Sequence, residues 1–405
     1  MKNSLLIILA SILLFLSCSD SSTNPPEKRE LTTLEKKLTS SSDKFGVKIF
    51  QEVNSAEPNK NLFISPLSIS MALGMTLNGA NGSTYDAMQS TLEFDDLSNQ
   101  EINEAYQSLI SLLTRIDPKV TFNIANSIWY RKSLKFEEDF IETNKKYFNA
   151  EVQGLNFDDP KSKSIINNWV NKKTNKKIKK IIERISPNDI MYLINAIYFK
   201  GTWKYEFKKE ATKTDLFYVK DNETINCEMM SQHNDFNYFE NENLQMVEMP
   251  YGDGSFNMKV ILPRPEKDIE EIISMLSVEN LKEWSEKMQE SEGTVEFPKI
   301  KMDFKIKLNE ILSAMGMEIA FSNVADFTRL YKEGGCYISD VLHKTFVKID
   351  EEGTEAAAVT SVTISVTSVG SSGFHIKMNR PFIFMITEKT SNNIIFIGKI
   401  VSPKN

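Results

Sequence analysis

Histidine and cysteine are scarce: the 405-residue chain contains three of each. His233, His343 and His375 stand far apart in sequence, so no metal-ligand spacing exists among them, and each lone imidazole reads as a structural hydrogen-bonding group before it reads as a base. Beyond the N-terminal cysteine only Cys227 and Cys336 remain, which excludes a disulfide framework. One bridge or two buried free thiols are left, and the thiols are preferred. Positive charge is also short: 48 Lys and Arg face 55 Asp and Glu, a balance that argues against a nucleic-acid binder. Motifs of catalysis are missing as well. There is no G-x-S-x-G, no H-E-x-x-H, no phosphate-cradling loop and no dinucleotide fingerprint, and Gly252-Asp253-Gly254 is a hairpin turn. No enzyme, metal or cofactor is expected. What remains is ordinary globular composition, 41% hydrophobic and 25% charged, on a chain long enough for a large core.

The N-terminus reads as an export signal over residues 1–17. Lys2 supplies the positive end, and Leu5 to Leu16 forms an uncharged apolar run too short for the ~20 residues of a membrane span. It ends in "FLSCSDSSTNPPE", which resembles a bacterial lipoprotein cleavage box with Phe15 where Leu is usual. Cys18 would then become the first mature residue and carry lipid. The expected location is the cell envelope or surface, or the medium if Cys18 is not lipidated. Residues 18–37 are a polar tether, and residues 38–405 form one domain.

Along that domain, Ser65-Pro66 is a helix-start signal, and Gly79 and Gly82 mark a stop. "FNIANSIWYRKSL" and "MYLINAIYFKGTWKYEF" read as buried strands, and "KSIINNWVNKKTNKKIKKIIE" as one basic amphipathic helix. Its lysines at 172, 173, 176, 177, 179 and 180 could hold a polyanion, with a solvated face the preferred alternative. "LQMVEMPYGDGSFNMKVILP" and "RPFIFMITEKTSNNIIFIGKIVSP" are hairpins, and "IEEIISMLSVENLKEWSEKM" and "NEILSAMGMEIAF" are helical. Helices early and strands late point to one α+β domain rather than regular βαβ units.

One segment fits neither strand nor loop: "EEGTEAAAVTSVTISVTSVGSSG", residues 351–373. Its middle alternates with period two, Thr360, Val362, Ile364 and Val366 against Ser361, Thr363, Ser365 and Thr367. It begins with Gly and Ala, ends in Gly and Ser, and has no charge after Glu355, so exposed it would invite β-aggregation.

Five motifs, in order and spacing, resemble the serpin family over roughly nine-tenths of the sequence: "NLFISPLSIS", "LINAIYFKGTW", "VEMPYGDGSFNMKVILP", "LHKTFVKIDEEGTEAAA" and "RPFIFMI". Asn78 departs from the usual Leu before Gly-Ala. The resemblance implies a single domain of about nine helices and three β-sheets, with an exposed reactive-centre loop at about 351–376. It implies a monomer that inhibits serine proteases by suicide: the protease cleaves the loop and forms its acyl-enzyme, and the loop enters the central sheet before hydrolysis completes. The chain would supply bait and spring, and no catalytic residue.

Hinge positions implied are Glu351, Gly353, Thr354, Glu355, Ala356, Ala357 and Ala358. The residues suit insertion on their own physics. Gly353 gives backbone freedom, Thr354, Ala356 and Ala358 are small on the inward parity, and Glu355 falls on the outward one. Counting from Glu351 places the cleaved bond at Thr367–Ser368, while counting back from Pro381 lands near Gly370. The hinge count is preferred because the inserted length must match the sheet. With no Arg, Lys or aromatic residue nearby, elastase-like or broad subtilisin-like targets fit. Ser65, Ser68, Asn195 and His343 match the positions that latch the sheet where it opens, and Trp203 the place where insertion begins. The competing readings are a non-inhibitory serpin acting as a binding or chaperone-like module, and a lipid-anchored structural or adhesion protein that merely kept the fold. The clean hinge favours the inhibitor.

Overall fold

The computed structural model describes residues 29–219, 223–354 and 373–403. In chain order its elements are α1 (Thr33–Ala56), β1 (Leu62–Ile64), α2 (Pro66–Leu77), α3 (Gly82–Thr91), α4 (Asn99–Leu113), β2 (Val120–Arg131), α5 (Glu138–Phe148), β3 (Glu151–Leu155), α6 (Lys161–Lys173), β4 (Met191–Thr202), β5 (Lys213–Tyr218), β6 (Thr224–Glu240), β7 (Leu244–Tyr251), β8 (Phe256–Pro263), α7 (Ile269–Met275), α8 (Val278–Glu286), β9 (Gln289–Pro298), β10 (Ile300–Lys307), α9 (Asn309–Leu312), β11 (Leu342–Asp350), β12 (Gly353–Thr354), β13 (Phe374–Lys377), β14 (Phe382–Glu388) and β15 (Ile394–Ile400).

The strands make a six-stranded sheet, β10-β11-β12-β4-β2-β3, and a nine-stranded one, β1-β15-β14-β8-β7-β6-β9-β13 with β5 beside β6. The second is two of the three anticipated sheets joined by the 17-residue β6, which pairs with β5 and β9 along most of its length and with β7 only over its last four residues. α2 runs between the two sheets, packing on β4 and β15, and is apolar all round because all of it but Ala72 is buried.

Local chemistry explains the boundaries. Ser65 caps α2 by accepting from the Ser68 N–H, and Pro66 sits in the first turn, where its missing donor costs nothing. α2 ends at Leu77, and Gly82 opens α3 instead of closing α2. Asn78, where the family pattern has Leu, is buried and exchanges amide hydrogen bonds of 3.0 and 2.9 Å with Asn103 while accepting from Asn99 at 2.9 Å. α4 therefore supplies the polar partners that this departure needs.

Three helical expectations are corrected. The basic helix stops at Lys173: Asn175 and Lys176 both take left-handed backbone, φ 49° and 65°, and residues 174–190 continue without helix. "IEEIISMLSVENLKEWSEKM" breaks at Leu276 into α7 and α8, because the Ser277 side chain caps a new helix. "NEILSAMGMEIAF" is only one α-helical turn, α9, followed by irregular turns around Gly316 at φ 112°. α4 and β6 carry no motif that marked them in the sequence.

Candidate functional site

β4 and β11 are neighbours in the six-stranded sheet, yet they do not pair with each other. β4 pairs with β2 on one side and β11 with β10 on the other, and among the described residues only the two of β12 bridge the gap between them. Gly353 stands opposite Thr202 and Asp350, and Thr354 opposite Gly201 and Ile349. Below that bridge, ten residues of β4 and seven of β11 have no strand partner on the facing edge among the described residues. The longer edge spans about 33 Å at the usual rise per residue. A cavity of about 80 Å³ lies in the lower gap, lined by Asn195, Leu193, His343 and Ser68 among others.

The upper end is built around β12. Gly353 has φ 148°, and a Cβ there would stand 2.1 Å from the Gly201 carbonyl oxygen, so only glycine fits. Thr354 is buried, and its hydroxyl lies 2.6 Å from that of Tyr251. Trp203 stacks on Tyr251 with centroids 4.4 Å apart and donates its indole N–H to the Asp350 carbonyl at 3.0 Å. The Glu351 carboxylate is held by Lys299 at 2.7 Å and by the Thr212 hydroxyl at 2.8 Å. Burial alone would push its pKa up, but these partners outweigh it and hold the carboxyl below the usual range. Glu352 pairs with Lys209 at 2.8 Å.

The lower end is a chain of hydrogen bonds running from one wall to the other. Ser65 N–H on α2 donates to His343 Nε2 on β11 at 3.0 Å, so the ring proton is on Nδ1. The Ser65 hydroxyl donates to the Ile395 carbonyl at 2.7 Å and accepts from Ser68 N–H at 3.2 Å. The Ser68 hydroxyl donates to Asn195 Oδ1 on β4 at 2.6 Å, and Asn195 Nδ2 donates to Asn126 Oδ1 on β2 at 2.6 Å. Asn126 finishes the chain on the Phe148 carbonyl at 2.6 Å. Burial pushes the His343 pKa down to about 3, which keeps the ring neutral and able to accept.

The structure thus brings Ser65, Ser68, Asn195 and His343 together beneath the gap, and Trp203, Glu351, Gly353 and Thr354 together at its upper end. Glu355, Ala356, Ala357, Ala358, Thr367 and Ser368, with Cys18, lie outside the described residues. Sequence reasoning missed Asn126, Tyr251 and Lys299. Asn126 was findable, since it stands in "FNIANSIWY" as Asn195 does in "LINAIYF", and the two are register partners. Cys227 and Cys336 are buried, and no disulfide joins them. His233 and His375 belong to the nine-stranded sheet, where they face Glu292 and Glu296, away from His343. Among the described residues no group of His, Cys, Asp and Glu could hold a metal ion, and no helix is long and apolar enough to cross a membrane.

A sequence model described as Serpin (serine protease inhibitor) matches residues 40–403. The chain belongs to the serpin family. It is 32% identical to human Serpin B4 over 388 residues, 90% of this chain and 99% of that protein. The human thyroxine-binding globulin structure matches with a TM-score of 0.84 and 29% identity, over 92% of this chain and all of that one. The thermophilic serpin tengpin in its native state, 34% identical, matches with a TM-score of 0.83 over 94% of this chain and 97% of its own. Tengpin in its latent state gives 0.79, over 93% of this chain and all of that one. The overlap is thus slightly higher with the native than with the latent form, in keeping with facing edges of β4 and β11 that, among the described residues, are bridged only at one end.

Proposed function

We propose that this serpin inhibits serine proteases by accepting its own cleaved loop between β4 and β11. The observation that carries the reading is the two-residue bridge: Gly353–Thr354 already pairs with both walls, and beyond it both walls continue without a facing strand partner among the described residues. A protease serine attacks the Thr367 carbonyl, the bond to Ser368 breaks, Ser368 leaves with a new amino terminus, and Thr367 stays bound as an ester. Thr354 points inward in β12, so in an inserted strand Ala356, Ala358, Thr360, Val362, Ile364 and Val366 would continue the inward set. From Thr354 to Thr367 the strand reaches about 45 Å, longer than the unpaired edge, and carries the acylated protease across the molecule before water completes hydrolysis.

The absence of Arg, Lys and aromatic residues from 356 to 373 suits elastase-like or subtilisin-like proteases, which accept small side chains. Lipid on Cys18 would place the inhibitor in the cell envelope on its tether, in which case Cys18→Ala releases it from membranes. Thyroxine-binding globulin has been solved in complex with thyroxine, so a fold of this kind can serve binding instead. Incubation with elastase-like, subtilisin-like and trypsin-like proteases decides between the two: an SDS-stable band supports inhibition, and cleavage without one supports the binding module. Mass spectrometry of the peptide released from a denatured complex should show a fragment beginning at Ser368; one beginning at Ser371 moves the bond three residues on.

A further inference from the structure

The chain of hydrogen bonds beneath the gap has a side branch that ends on a sulfur. Asn195 Nδ2 carries two hydrogens: one goes to Asn126 Oδ1, and the other points to Met71 Sδ at 3.2 Å. Asn126 Nδ2 bonds the Phe148 carbonyl and lies 3.6 Å from the same sulfur. Met71 stands three residues after Ser68 on α2, so the two share a face, and together they bracket the Asn195 amide. A thioether is a weak acceptor. It satisfies the amides without gripping them, as suits a latch that must part.

Met71 is fully buried. Asn195 is only half-buried and lines the cavity of about 80 Å³ in the lower gap, together with Ser68 and Ala72 from α2. The Asn195 amide thus stands between the sulfur and a space that admits a molecule the size of water or peroxide, water's share of its liquid being about 30 Å³. A swing of that one side chain presents the sulfur to the cavity.

We propose that Met71 is an oxidation site that unlatches the gap, with hydrogen peroxide as the oxidant. A sulfur lone pair attacks one peroxide oxygen, the S–O bond forms as the O–O bond breaks, and the departing hydroxide takes the remaining proton and leaves as water. Sulfur is oxidised by two electrons and peroxide is reduced. The new oxygen lands on the side of the amides, because that is the side the cavity reaches. It stands about 1.5 Å beyond the sulfur and needs its donor nitrogen at about 2.9 Å, so Asn195 Nδ2 must withdraw by roughly 1 Å. The 2.6 Å bonds of Asn195 with Ser68 and Asn126 do not survive such a stretch. β4 is thereby freed from α2, and the walls part more readily. The sulfoxide is the reversible rung of the oxidation ladder, restored by sulfoxide reductases. The consequence for loop uptake rests on the inhibitory reading above; the unlatching does not.

The mature chain is treated with graded hydrogen peroxide and digested, and the gain of one oxygen at each methionine is followed by mass spectrometry. Met191, half-buried on the cavity wall, reports entry of the oxidant, and Met258 and Met385, buried in β8 and β14, report reaction at closed core positions. Met71 should react alongside Met191 and roughly tenfold or more ahead of Met258 and Met385. The oxidised parent should unfold at lower urea and take up a labelled synthetic peptide of residues 354–367 about tenfold faster than untreated protein, the equivalent of about one net hydrogen bond lost. Met71→Leu keeps every other methionine and should show neither change on peroxide treatment. Reaction of Met71 no faster than that of Met258 and Met385 overturns the site, and this readout needs no variant. An oxidised Met71 with an unmoved urea midpoint, a midpoint that moves equally in Met71→Leu, or peptide uptake that occurs but is not quickened overturns the unlatching. A midpoint lowered in the parent alone, with no peptide taken up before or after treatment, overturns the inhibitory reading and leaves the oxidation site standing.

Discussion

The ribbon β8-β14-β15 and the pair β4–β11 are made from the same kind of chain and behave as opposites. In the ribbon, every residue of β14 and β15 is buried, the strands pair along their lengths, and Phe63, Phe384 and Phe396 stack at 4.9 to 5.5 Å. In the pair, the facing edges meet, among the described residues, only through Gly353 and Thr354, and what links the walls underneath is Ser65, Ser68, Asn195 and His343. The difference has a physical basis. Parting a packed core removes several kcal/mol per large side chain, whereas hydrogen bonds can be exchanged for others at a net cost of about 1 kcal/mol each. Apolar packing marks what stays fixed, and the hydroxyl–amide–imidazole chain marks where strands can separate.

That contrast can be broken from either side. Phe384→Ala should cost about 3–5 kcal/mol and do so equally in intact and loop-cleaved protein, since the ribbon is the same in both; urea midpoints of the two forms check it. Thr354→Arg acts only on the opening side. A guanidinium has no partner at this buried position, so the substituted side chain leaves the gap in the intact form, and a penalty of about 3 kcal/mol for burying it again on insertion shifts the partition toward plain cleavage roughly a hundredfold. Counting moles of serpin consumed per mole of protease inactivated measures it.

Asn195→Ala leaves the Ser68 hydroxyl and Asn126 Oδ1 without their partners, so the intact form should lose about 1–3 kcal/mol by urea unfolding. A smaller loss than that of Ser127→Ala, which removes only the acceptor of the Trp129 indole outside the network, would show that the chain of bonds is not what holds the walls.

The two regions also respond to acid with opposite signs. His343 has a folded pKa pushed down to about 3 against an ordinary 6.5, so between these values the unfolded chain binds the extra proton and stability falls as pH drops from 6.5 toward 3, by roughly 1.4 kcal/mol per unit. Asp43, buried against β15 with the Ile394 N–H and the Asn393 amide on its carboxylate, is pushed up by burial to about 7 against an ordinary 3.8. There the folded chain binds the proton, and stability rises as pH falls from 7 toward 3.8. His343→Gln should remove the first slope and expose the second, and Asp43→Asn should do the reverse; urea midpoints at several pH values separate them.

How much of this was legible in the sequence follows the same division. Local signals carried the elements: Ser65-Pro66 marks the start of α2, and the Gly252-Gly254 turn marks the β7–β8 hairpin, because each is decided by neighbouring residues. The basic helix was overextended, since "TNKKIKKIIE" has helical spacing and only the left-handed Asn175 and Lys176 end it. The four residues between the walls came through family motifs, not periodicity. Tyr251 and Lys299 were missed because what pairs them with Thr354 and Glu351 is tertiary register, which no local pattern encodes, whereas the pairing of Asn126 with Asn195 is hinted at by the like placement of the two in their strand motifs.

The account turns on whether the loop becomes a strand between β4 and β11, and loop cleavage tests that most directly. A non-target protease nicks the loop, and the thermal midpoints of intact and nicked protein are compared by calorimetry. Insertion would complete both unpaired edges and bury Val362, Ile364 and Val366 at about 1.5–3 kcal/mol each, so the nicked form should melt roughly 10 °C or more above the intact one. A nicked protein melting at the intact protein's temperature would contradict the claim that this sheet receives its own loop.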